Sequence, residues 1–398
     1  MKEGVVMEKY LDPHMKKLDA HLEKRIAELK KAKESGTKVV GYYPGNYIPE
    51  EIIYAAGAIP LCLADGGDSE LVEASLSVMP RRFCSFVREQ IGGITQQSNP
   101  YFEILDLLVA PIACQHLKKL AEIIEYRKDV DVTKIGIPHS YESDFALEYY
   151  TYQLDKLKNK LEKLTGNVIR DENLIKAIEL YNKMRSLFKE ISLTRTDAAL
   201  PISSSDFMKL NHASLYADPV FMVEILQDIL TDLNKQQLPE QTGNGKKPRL
   251  ILVGPNLAYG DYKVLELVDA AGGEIVIEEI SEGLRDYWLT ISTDGSPINS
   301  LAKGYLQDRV PCAFMVHSAK KRLDFALKLI KDYNVDGAIW YELLCCETYD
   351  SEAYYFAKEL EQKDTPVLVL ESDYGNSDIG QLKTRIEAFI ELLEGGTK

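Results

Sequence analysis

No run of apolar residues in this chain approaches the roughly 18 needed to cross a bilayer, so no membrane association is expected. Cations are in deficit. Lys and Arg number 47 against 62 Asp and Glu, a net charge of −15, which argues against nucleic acid as a partner. Cysteine is sparse, with six in 398 residues, too few for a disulfide scaffold. The first residues, 1–17, lack the apolar core of a signal peptide, so a cytoplasmic, reducing setting is expected, with the thiols free. Three motifs are also missing. There is no Cys-x-x-Cys, which disfavours zinc ribbons and ferredoxin-type clusters. No Gly-x-Gly-x-x-Gly opens a helix, and Gly243-Asn244-Gly245-Lys246 lacks the spacing of a phosphate-binding loop.

What is present is an alternation of short apolar runs and helical patterns, interrupted once. Strands are predicted at 38–43, 58–64, 105–113 and 134–139, with helices at 49–56, 85–94 and 116–127 between them. The period then turns helical, at 144–165, 171–192, 203–215 and 218–235, and a polar linker follows at 238–248. Strands return at 249–253, 274–280, 337–344 and 366–371, with helices at 261–271, 319–333, 351–363 and 378–394. Strands alternating with helices build right-handed crossovers and parallel sheets. The fold class is therefore α/β: two similar Rossmann-like parallel-sheet domains facing a cleft, with an N-terminal helix and a helical insertion. The segments are an N-terminal helix (1–36), a first α/β domain (37–143), a helical segment with linker (144–247) and a second α/β domain (248–398).

The two halves repeat one plan. In the first, Cys84 precedes a helix and a strand, and Cys114 follows that strand. In the second, Cys312 precedes a helix and a strand, and the adjacent pair Cys345-Cys346 follows. The second strand of the first half carries Cys62. Open α/β sheets bind their ligands at the carboxyl ends of strands, and these cysteines gather at that edge. Each alone is more often core packing, since free Cys is among the most buried residue types. Jointly they point to a metal. Vicinal cysteines seldom bridge each other, and thiolates drawn from distant loops suit iron–sulfur chemistry better than zinc. Cys84 sits beside Arg81 and Arg82 at a helix N-terminus, where a lowered thiol pKa is expected. His116, His317 and Glu347 lie near these loops and could carry protons.

The segments GYYPGNYIPEEIIYAAGAIPLCLADGG, RRFCSFVREQIGG, VAPIACQHLKK and VDGAIWYELLCCETYDSEAYYFAKEL with PVLVLESDYG resemble the 2-hydroxyacyl-CoA dehydratase and benzoyl-CoA reductase superfamily. The resemblance runs from about residue 38 to the end. It implies one 4Fe–4S cubane held by Cys84, Cys114 and one of Cys345 and Cys346. Three further cysteines depart from that pattern, and six thiolates match the superfamily's double-cubane proteins, with an 8Fe–9S centre. The ligands expected on that basis are Cys62, Cys84, Cys114, Cys312, Cys345 and Cys346. The resemblance also implies an ATP-hydrolysing iron–sulfur activator as partner, a small-molecule substrate and a homodimer. The alternatives are a single-cubane dehydratase subunit, or a non-catalytic electron-storage or small-ligand binding protein.

Overall fold

The computed structural model describes residues 4–196, 200–235 and 247–395. It contains two four-stranded parallel sheets. The first comprises β1 (Val39–Tyr42), β2 (Ile59–Cys62), β3 (Leu107–Ile112) and β4 (Val132–Gly136), in spatial order β2-β1-β3-β4. The second comprises β5 (Arg249–Val253), β6 (Glu274–Glu279), β7 (Gly337–Leu343) and β8 (Val367–Ser372), in spatial order β6-β5-β7-β8. The second sheet thus repeats the order of the first strand for strand, and the expected two similar α/β domains are present. Helices cover both faces of each sheet. Accordingly β1, β5 and β7 are buried along their whole length, which is why they read as unbroken apolar runs.

The predicted strand at 134–139 lies two residues earlier, because β4 is an edge strand that pairs only with β3. The polar stretch after β2 contains an unpredicted helix, Ser69–Ala74, whose N-cap Asp68 accepts hydrogen bonds from the Glu70 and Leu71 amides. It packs so tightly on the helix Ser85–Gln96 that a Cβ at Gly92 would lie 1.9 Å from the Leu71 carbonyl oxygen. The long connection after β6 likewise holds short helices at Leu284–Tyr287 and Pro297–Lys303.

The helical insertion runs Asp144–Thr165, Asp171–Leu193, Ser204–Ser214 and Pro219–Lys235. The N-terminal helix runs Gly4–Glu34, within the segment expected for it, and packs on this insertion. His21 stacks on Phe221 with ring centroids 3.9 Å apart, and Arg25 donates to the Tyr216 carbonyl at 2.8 Å. Most of the predicted linker 238–248, with Gly243-Asn244-Gly245-Lys246, lies outside the described residues. No helix among the described residues is long and apolar enough to cross a membrane.

Buried ion pairs tie the insertion to the domains. Arg195 pairs with Glu278 of β6 at 2.6 Å with both side chains wholly buried, and Arg185 pairs with Glu51 at 2.8 Å. In low dielectric such pairs must be complete, or the remaining charge is strongly destabilising.

Candidate metal centre

The carboxyl ends of both sheets open onto one cleft of about 90 Å³. The first domain contributes Pro44 and Gly45 after β1, and Ala113 and Cys114 after β3. The second contributes Pro255 and Asn256 after β5, Ser281 and Glu282 after β6, and Cys346 and Tyr349 after β7. Cys84 and Cys312 complete the wall, with apolar cover from Phe86, Val87, Leu117 and Phe314. Four thiols from both domains therefore line one largely apolar space.

Local structure explains how each arrives there. Cys84, Cys114 and Cys346 are the N-cap residues of three helices, Ser85–Gln96, Gln115–Arg127 and Glu347–Glu361. The Cys114 sulfur accepts from the Leu117 amide at 3.5 Å, and the Cys84 amide donates to His116 Nδ1 at 3.3 Å. The last of these helices starts four residues before its predicted start, because the first-turn acids Glu347 and Asp350 suit its positive end. Cys345 takes a left-handed backbone, φ 67°, unusual outside glycine. Cys346 lines the cleft, whereas Cys345 lies beside it, its sulfur 4.0 Å from the Arg81 carbonyl oxygen.

Cys312 is held from both sides. Its amide donates to the Tyr47 hydroxyl at 3.2 Å, and its sulfur is 3.6 Å from the Tyr349 hydroxyl. Tyr349 is itself fixed by Arg285 Nη1. Arg285 in turn is gripped at 2.7 Å by both carboxylate oxygens of Glu279 and donates to the Gly254 carbonyl at 2.9 Å.

Cys62 is placed differently. It ends β2, opposite Tyr42, and its amide donates to the Leu215 carbonyl. Its thiol lines an adjoining cavity of about 20 Å³ with Glu50, Asp286 and Arg309, not the four-cysteine cleft. β1 stands between β2 and β3, so two strand spacings, about 10 Å, separate their ends. Pro44, Ser281 and Glu282 form the wall common to the two spaces.

Three of the cleft thiols, Cys84, Cys114 and Cys346, resist ionisation. Burial, then the neighbouring Cys114, pushes Cys84 up to about 12. Burial, then Cys84, raises Cys346 well above its ordinary value. The expected acidification of Cys84 by Arg81 and Arg82 is absent. Both arginines are exposed, Arg81 is paired with Glu73, and burial dominates. Clustered buried thiols become stable thiolates when a cation neutralises them, so metal binding here would release protons. Among the described residues no three His, Cys, Asp or Glu side chains converge on a single metal ion. Sulfurs spread around a cleft fit a centre with several irons better than a mononuclear site.

Glu282 and Arg309 carry no nearby motif, and neither was singled out from the sequence. Glu282 is fully buried, and burial lifts its carboxyl to about 8. One of its oxygens accepts from the Leu257 amide at 3.1 Å, and the other has no hydrogen-bond partner among the described residues. Tyr349 also lines the cleft.

A fold of paired Rossmann-like domains with a cysteine-lined cleft between them narrows the family, and sequence comparison agrees. The chain belongs to the family described as 2-hydroxyglutaryl-CoA dehydratase, D-component, whose model matches residues 46–393. It is 28% identical over 363 residues to YjiM of Escherichia coli (strain K12), provisionally named a dehydratase subunit, covering 91% of this chain and 93% of that one. It is 23% identical to the (R)-phenyllactyl-CoA dehydratase beta subunit of Clostridium sporogenes, covering 92% and 94%. It is 22% identical to a benzoyl-CoA reductase subunit of Thauera aromatica, covering 92% and 93%.

Proposed function

We propose that the chain is an iron–sulfur oxidoreductase that reduces a small molecule in the interdomain cleft. The observation that carries this reading is the meeting of Cys84, Cys114, Cys312 and Cys346, two from each domain, on one cleft at the strand ends. The named relatives, dehydratase and reductase subunits, support an enzymatic role. The finer proposal is an 8Fe–9S double cubane, with those four cysteines joined by Cys345 and Cys62. When bound, such a centre supplies low-potential electron transfer. Electrons would come from an ATP-hydrolysing iron–sulfur activator, and the functional unit would be a homodimer.

The chain's own residues have separable tasks in this reading. The six thiolates hold the centre. Phe86, Val87 and Phe314 limit water around it. The Tyr349 hydroxyl accepts from Arg285, which leaves its proton free for the Cys312 sulfur. Hydrogen bonds to ligand sulfurs and local charge are the protein's means of setting a cluster's potential.

One observation favours a second reading. Cys62 faces the adjoining cavity, as suits a single cubane held by three ligands in a CoA-thioester dehydratase subunit. Anaerobic iron and sulfide analysis separates the two: about eight irons per chain for the double cubane, about four for the single one. Turnover that requires both ATP and the activator then distinguishes an enzyme from an electron-storage protein.

A further inference from the structure

We propose that Asn256 and Glu282 donate hydrogen bonds to the iron–sulfur centre assigned to the cleft, and so help to set its potential. Both side chains belong to the wall that carries Cys84, Cys114, Cys312 and Cys346. The Asn256 side-chain nitrogen and one Glu282 carboxyl oxygen are buried, and neither has a hydrogen-bond partner among the described residues. No other described residue of that wall holds a buried side-chain nitrogen or oxygen without a partner. Buried polar groups left unpaired are rare and costly, so these two mark the place of a ligand that pairs with them.

The fold sets the two groups side by side. Asn256 follows β5 and Glu282 follows β6, its neighbour in the sheet. The two loops are tied together. The Ser281 amide and hydroxyl both donate to the Pro255 carbonyl, at 3.1 and 2.6 Å, and the Leu257 amide donates to Glu282. The Asn256 nitrogen can only donate. It opposes a bare cation and suits an anionic acceptor. A centre of thiolate and sulfide around iron is such an acceptor, and hydrogen bonds to its sulfurs raise its potential. The Glu282 carboxyl can join as a donor. The cation acting on it, Arg285, is already gripped by Glu279. Burial lifts the carboxyl to about 8, so it keeps its proton at neutral pH. An ionised carboxylate there would instead set a second negative charge against the centre.

This inference rests on the reading of the cleft as an iron–sulfur site, yet the two fail separately. Iron analysis judges the centre, and spectroscopy judges the donors. Asn256 is the one asparagine among the described residues lining the cleft. Protein is therefore expressed with asparagine isotopically labelled at its side-chain nitrogen, loaded with iron and reduced. Pulsed electron paramagnetic resonance should show a hyperfine coupling to that nitrogen, lost in Asn256→Leu. This variant should keep its iron, and its reduction should become up to about tenfold less favourable, about 59 mV for a one-electron couple. Glu282→Leu should shift the potential likewise. Glu282→Gln keeps an acceptor for Leu257 and a donor for the centre, and should leave the potential nearly unchanged. Iron-loaded protein without the nitrogen coupling, or an unmoved potential in both leucine variants, would overturn the proposal. A marked rise in Glu282→Gln would do the same for Glu282, since it would reveal an ionised carboxylate. Should a leucine variant fail to take up iron, the labelled, unaltered protein decides.

Discussion

Replacing Tyr349 by phenylalanine removes a single oxygen atom next to one cysteine, and its effect can be worked out in advance. The hydroxyl is buried, accepts from Arg285 Nη1 and lies 3.6 Å from the Cys312 sulfur. Because Arg285 already supplies a proton to the oxygen, the hydroxyl's own hydrogen is free for the sulfur. Arg285 keeps Glu279 and the Gly254 carbonyl in the variant, so the fold should lose only about 1 kcal/mol. A hydrogen bond to a charged sulfur is worth about 1.5 kcal/mol, and for a one-electron couple about 59 mV corresponds to a tenfold change in equilibrium constant. Loss of the donor leaves the thiolate more electron-rich, so the midpoint potential should fall by up to about 60 mV at unchanged iron content. An anaerobic redox titration followed by electron paramagnetic resonance reads this shift. An unaltered potential in a fully iron-loaded variant would refute the claim that Tyr349 bonds a ligand sulfur.

Two further predictions concern the scaffold. Glu278→Gln strips the charge that balances the wholly buried Arg195 and should cost about 3–5 kcal/mol in denaturant unfolding; a loss below about 1 kcal/mol would contradict the pairing. His212 is buried between Tyr262 and the Leu257 carbonyl, and burial holds its pKa down to about 4. Between pH 6.5 and 4 the unfolded chain takes up a proton that the folded one does not. Stability from this group is therefore full above pH 6.5 and falls through that window by at most about 3 kcal/mol. Urea midpoints measured against pH should show this acid loss, and His212→Gln should flatten it.

Much of the architecture could be read from residue order. The apolar runs of β1, β5 and β7 announced buried parallel strands, and the matched intervals between Cys84 and Cys114 and between Cys312 and Cys345 announced two related domains. The helix Ser69–Ala74 was overlooked although its signal was present: Asp68 is a good N-cap, but the segment is too short and polar to show a period. The cleft was legible because Cys114 and Cys346 follow strands and Cys84 and Cys312 sit in helix-opening loops of the same two domains, at the edge where an α/β sheet aims its ligands. The position of Cys62 was not, since it depends on β1 lying between β2 and β3, and spatial order is not written in strand sequence. Glu282 and Arg309 were hidden for another reason. Their chemistry comes from burial and from contacts with distant parts of the chain, and neither property belongs to a local motif.

The central claim is that sulfur atoms from two domains hold a polynuclear iron centre between them. Iron and acid-labile sulfide, counted per chain on protein purified without oxygen, test it most directly. About eight irons and about nine sulfides are expected for each chain, both lost together when Cys84 or Cys346 is replaced by alanine. Protein that carries no iron after anaerobic expression and reconstitution, or whose iron survives both substitutions, would contradict it.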